Sequence, residues 1–95
     1  MSEKLGGTMA DFYGLPDGRK KFAEFMLAFE ERKYGPDPKF TREESLELYG
    51  LQFDHALNAL NNGKVSPDKL TKIEEEINDK KRAIIAAAHA RQINK

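Results

Sequence analysis

Cysteine is absent from the 95 residues, which excludes disulfide bonds, thiolate nucleophiles and zinc-finger arrangements. Net charge is absent too. Sixteen basic side chains balance 16 acidic ones, so bulk charge alone gives no drive toward polyanions. There is no apolar run long enough to cross a bilayer, and no charged stretch followed by an apolar one of the secretory type. The expectation is a soluble, cytoplasmic chain. Histidine is scarce: His55 and His89 stand on separate segments, without the HExxH spacing that builds a metal site. Ser2, Ser45 and Ser66 are the only serines, and none sits in G-x-S-x-G. The stretch Gly14-Leu15-Pro16-Asp17-Gly18-Arg19-Lys20 has three residues between its glycines, and no Ser or Thr follows the Lys. That departs from a phosphate-binding loop in spacing and in its magnesium hydroxyl. Glu43 and Glu47 share a helix face, but basic neighbours make a solvated face the simpler account. The reading is therefore non-enzymatic, with no catalytic residue, cofactor or metal site expected.

What the chain has in quantity is helix-forming pattern. Charged residues make up 34% of it, and apolar residues recur at helical spacing. The organising stretch is 41–63. Thr41 with Glu44 three residues later forms a capping box, and Gly63 can turn left-handed to stop the helix. Between them Leu46, Tyr49, Phe53, Ala56, Leu57 and Leu60 fall within an arc of roughly 100°. A thinner stripe of Leu48, Leu51, His55 and Ala59 runs along the other side. A helix apolar on two sides needs two neighbours, which places this one in the middle of the fold.

Those neighbours are legible on either side. Residues 19–34 predict a first helix, with Asp17 as its N-cap and Phe22, Phe25, Met26 and Phe29 as its inward face. Gly35-Pro36 ends it, and the prolines at 36 and 38 stiffen the connector. Ser66-Pro67-Asp68 restarts a helix with an N-cap, a proline at the first helical position and an acid suited to the helix dipole. That last helix is expected to reach about Ile93, with Leu70, Ile73, Ile77, Ile84 and Ala88 facing inward. Its early part, with Glu74-Glu75-Glu76, reads as a solvated face. The short 61–66 link makes the two long helices antiparallel neighbours. The expected architecture is all-α: a small three-helix domain over 19–95, with a shorter first helix packed on a long antiparallel helical hairpin. A flexible, turn-rich segment over 1–18 precedes it, and Met9 offers an alternative start.

Candidate contact residues come from what this pattern leaves over. Phe12 and Tyr13 lie among turn formers, and either fold back on the core or offer aromatic area to a partner. Leu48 and Leu51 belong to the thinner stripe and are candidates for partner binding. Residues 83–90 carry no permanent charge on any side, and Ile85, Ala86 and Ala90 point away from the inward stripe. They are the candidates for self-association. Arg19-Lys20-Lys21 and Lys80-Lys81-Arg82 are two basic clusters that a nucleic-acid-binding accessory protein would use.

The residues Leu70-Thr71-Lys72-Ile73-Glu74-Glu75 resemble part of the C-terminal helix of small phage proteins that sequester cyclic oligonucleotides, which are also compact helical hairpins. The aromatic portion that follows in that family is absent here. The resemblance implies a small-ligand-binding helical oligomer as a minor alternative. The leading expectation is a small interaction module of adaptor or inhibitor type. It would bind a protein partner, self-associate as a homo-oligomer, and have no membrane role. Nucleic-acid binding is the runner-up.

Overall fold

The computed structural model describes residues 11–93, so the part of the 1–18 segment before Asp11 lies outside the described residues. Three helices carry the fold: α1 (Gly18–Tyr34), α2 (Arg42–Leu60) and α3 (Pro67–Ile93). α1 and α3 each pack against α2, and no comparable packing joins α1 directly to α3. The central position read from the doubly apolar 41–63 stretch is therefore the one α2 occupies.

Local chemistry explains where each helix begins and ends. The Thr41 hydroxyl accepts from the Glu44 amide at 3.0 Å, and the Glu44 carboxylate accepts from the Thr41 amide at 3.0 Å. These reciprocal bonds satisfy two donors that a helix start otherwise leaves orphaned. Gly63, just past the end of α2, has φ of 90°, a conformation that glycine adopts without strain. Pro67 is the first residue of α3, and the Ser66 hydroxyl lies 3.4 Å from the Lys69 amide. Asp17 behaves differently from the sequence expectation. It precedes α1, but its side chain makes no capping bond. The chain instead enters α1 through a helical turn over 11–13 and backbone bonds from Leu15 to Phe12 and from Gly18 to Leu15.

Two glycines mark close approaches at α1, Gly18 to the preceding turn and Gly50 to Arg19 across α2. A Cβ at Gly18 would stand 1.9 Å from the Phe12 carbonyl oxygen, and a Cβ at Gly50 would stand 2.7 Å from Cζ of Arg19. Arg19 therefore lies across α2 at Gly50. It donates from Nε to Asp54 at 2.9 Å and from Nη2 to Glu47 at 3.1 Å. Phe22 and Phe53 pack with centroids 5.5 Å apart, and Tyr13 adds its ring to Phe53 at 5.4 Å. Burying each large ring contributes about 1.5–3 kcal/mol. The Arg19 pairs, with the side chain 41% exposed, add at most about 1 kcal/mol each. Burial supplies the stability, and the ion pairs fix how α1 sits along α2.

The inward face expected for α1 needs correction. Phe22 is buried and Met26 half-buried, but Phe25 and Phe29 are each 44% exposed. The buried face is Gly18, Phe22, Ala23 and Leu27. It is rotated toward small Ala23 and Leu27, away from Phe25 and Phe29. Phe12 touches Phe22 and Phe25, each at 6.0 Å between centroids, and covers them only in part.

On the other side of α2, Leu51 and Ile77 are buried, and Asn58 forms a polar clamp. Its Nδ2 donates to the Leu70 carbonyl at 3.1 Å and to Glu74 at 3.0 Å. Glu74 also meets Nδ1 of His55 at 2.8 Å. The Asn58 donor and His55 together hold the Glu74 carboxyl below its usual range. Glu74 is thus not part of the solvated face expected for it, whereas Glu75 and Glu76 are exposed. At the far end Arg91 donates to Glu44 at 2.8 Å, tying the end of α3 to the start of α2. The inward stripe of α3 includes Ile77 and Ala88, both buried, as its periodicity indicated. Among the described residues no helix is long and apolar enough to cross a membrane.

The two close-contact glycines respond differently to a methyl group. At Gly18 the obstacle is backbone, so Gly18→Ala forces the 11–13 turn outward. Overpacking of this kind costs about 1–3 kcal/mol, more than the roughly 0.5–1 kcal/mol that alanine gains in a helix. At Gly50 the obstacle is the end of a flexible side chain, so the helix gain and the lost ion pairs nearly cancel. Urea denaturation followed by far-ultraviolet circular dichroism is expected to show a clear loss for Gly18→Ala and little change for Gly50→Ala.

Candidate interaction groove

α2 forms the floor of a groove of about 490 Å³ between its two neighbours. Ser45, Leu48, Leu51 and Gln52 come from α2. Ile77, Asn78, Lys81 and Ile85 come from α3, and Glu30, Asp37 and Phe40 close the side made by α1 and the connector. The groove follows from the helix order. α1 and α3 both take α2 as their partner without packing on each other. That arrangement leaves open the corner between them.

The walls differ in charge. Glu30 and Asp37 stand on the α1 side and Lys81 on the α3 side. Asp37 is fixed by the connector, where its Oδ1 accepts from the Lys39 amide at 2.7 Å and the Phe40 amide at 3.3 Å. Pro36 and Pro38 hold the chain around this turn. Tyr49 reports the acidic wall. Burial, then the Glu30 carboxylate and the charge of Asp37, push its phenol up to about 12. Among the described residues Glu30, Asp37 and Lys81 form no ion pair, whereas Arg19, Arg42, Glu44 and Arg91 do.

The residues singled out from sequence divide between places. Leu48, half-buried, and Leu51, 2% exposed, lie on the groove floor, and Ile85, 45% exposed, lies on its rim. Ile85 thus shares a surface with the two partner-binding candidates, a grouping the sequence did not suggest. Ala86 and Ala90 are exposed on α3 outside the groove lining. Phe12 and Tyr13 are half-buried and engaged with Phe22, Phe25 and Phe53, away from the groove. Of the basic clusters, Arg19 is taken up by Glu47 and Asp54, and Arg82 pairs with Asp79. Glu30, Asp37 and Phe40 were not anticipated in the site. They come from different segments, and only the fold brings them beside α2.

Among the described residues no three His, Asp or Glu side chains gather closely enough to hold a metal ion. The groove offers apolar surface and fixed charges, a combination suited to binding. No family model matches the chain, and comparison with the curated proteins and with the solved structures returns no match.

The acidic wall has a spectroscopic signature. A neighbouring carboxylate stabilises the protonated phenol, so removing its charge lowers the Tyr49 titration midpoint from about 12. Titration of ring-labelled tyrosine by NMR is expected to show that fall in Glu30→Gln. An unchanged midpoint would mean that Glu30 does not face Tyr49.

Proposed function

We propose that the chain is a non-enzymatic interaction module of adaptor or inhibitor type that binds a protein partner through the α2–α3 groove. The observation that carries this reading is the groove itself, an apolar floor with Leu48 and Leu51, rimmed by Ile85 and by Glu30, Asp37 and Lys81, which form no ion pair among the described residues. Interfaces of this composition, an apolar centre within a polar rim, are typical of protein recognition.

Self-association belongs to the same reading but to a different face. Ala86 and Ala90 are exposed on α3 within the stretch 83–90, which itself carries no permanently charged side chain. Nucleic-acid binding is less favoured, because Arg19 and Arg82 already have carboxylate partners.

Capture from the native host with the full chain, under moderate salt and with recovery of both protein and nucleic acid, tests the assignment. The expected outcome is a stoichiometric protein that Ile85→Glu releases and Ala90→Glu retains. Light scattering on the same variants is expected to show the reverse order of effect on any dimer. Recovery of nucleic acid in a strongly salt-dependent complex would replace this reading with the runner-up. A captured protein indifferent to Ile85→Glu would move the interface away from the groove.

A further inference from the structure

The groove has the form of a four-helix bundle with one helix missing. In such a bundle each helix has two neighbours and the core lies among all four. Among the described residues α2 packs against both α1 and α3, while α1 and α3 have no comparable packing on each other and flank an open corner. The apolar floor and wall at that corner are Leu48, Leu51, Ile77 and Ile85. Along α2 the lining runs from Ser45 to His55, which at 1.5 Å per residue is roughly 15 Å, close to three helical turns.

The charges say which helix fits. Glu30 and Asp37 occupy the wall made by α1 and the connector, and Lys81 occupies the wall made by α3. None of the three has an ion-pair partner among the described residues. Tyr49 lies against the acidic wall and, being held protonated, adds no negative charge of its own. An incoming helix therefore meets negative charge on one flank and positive charge on the other. Charges arranged in this way select orientation and partner more strongly than they add affinity.

We propose that the groove receives an amphipathic α-helix of a partner protein that completes a four-helix bundle. Its Lys or Arg flank lies against Glu30 and Asp37, and its Glu or Asp flank lies against Lys81. This rests on the reading of the groove as the protein-binding site and specifies its occupant. Anchor residues at i, i+3, i+4 and i+7 of that helix cover half-buried Leu48 and exposed Ile85, in the manner of helix-in-groove recognition.

The test uses a display library of helices about fourteen residues long, roughly four turns. Leu is fixed at one face, and Lys, Glu or Gln are varied on the two flanks. Selection is made against the full wild-type chain, and recovered helices are measured by interferometry against folded variants. The expected clones carry Lys on one flank and Glu on the other, and Ile85→Glu abolishes their binding. Glu30→Gln combined with Asp37→Asn is expected to weaken them about five- to tenfold and to erase the Lys preference, and Lys81→Gln to erase the Glu preference. Clones that need Ile85 but show no flank preference, or one unmoved by the charge variants, overturn this occupant and leave a protein-binding groove standing. A library yielding no clone sensitive to Ile85→Glu overturns the occupant and the groove reading together. If no clone is recovered and the wild-type chain is a dimer that Ile85→Glu dissociates, the occupant is a second copy and the proposal fails.

Discussion

The close approach of α1 to α2 is the constraint on which the rest of the structure depends. Gly50 presents bare backbone on α2, and the Arg19 guanidinium rests where a side chain would stand. Glu47 and Asp54, three residues before and four after Gly50, lie on the same helix face and grip Arg19 from both sides. That grip sets the height of α1 along α2. It brings Phe22 onto Phe53 at one end, and the opposite end of α1 then carries Glu31 to Arg42 at 3.1 Å. Gly18 adds the second close contact by letting the Phe12 carbonyl approach the start of α1. Most of the free energy comes from burying the aromatic rings. The geometry comes from the glycines and the arginine.

Once α1 is fixed there, the open corner follows. α3 is held on the other side of α2 by Leu51 and Ile77 in the middle, by Asn58 and Glu74 near the hairpin turn, and by Arg91 and Glu44 at the far end. These contacts span nearly the whole length of α2 and hold α3 along it. The groove is thus a consequence of two separate helix–helix contacts sharing one central helix. Its acidic wall has the same origin, because the antiparallel course of α1 returns Glu30 and the connector's Asp37 to the Tyr49 region of α2.

Much of this order was legible in the residues. The Thr41–Glu44 capping box, the Ser66-Pro67 start of α3 and the two apolar stripes of α2 gave the helices and put α2 in the centre, because capping and periodicity are local physics. Contacts that depend on small or polar residues were not legible. Gly50 looks like a weakness in a helix until Arg19 is seen to need the space, so Arg19 read as one member of a basic cluster. Ser45 and Asn58 are buried although polar, and hydrophobic periodicity gives them no weight. Phe25 and Phe29 outweighed Ala23 and Leu27 in the sequence pattern, while the direction of α2 decided which pair faced inward. Leu48 and Leu51 were found because they are apolar and periodic. Glu30, Asp37 and Lys81 were missed as a set because they lie on three different segments.

The central claim is that α2 carries both neighbours, with α1 and α3 depending on it and not on each other. Hydrogen–deuterium exchange of the full chain, resolved by residue, tests it most directly. Amides in the middle of α2, around Phe53, are expected to exchange only when the whole domain unfolds, while amides of α1 and α3 also exchange through separate, smaller openings. Amides of α1 or α3 that stay protected after those of α2 have exchanged would contradict the account.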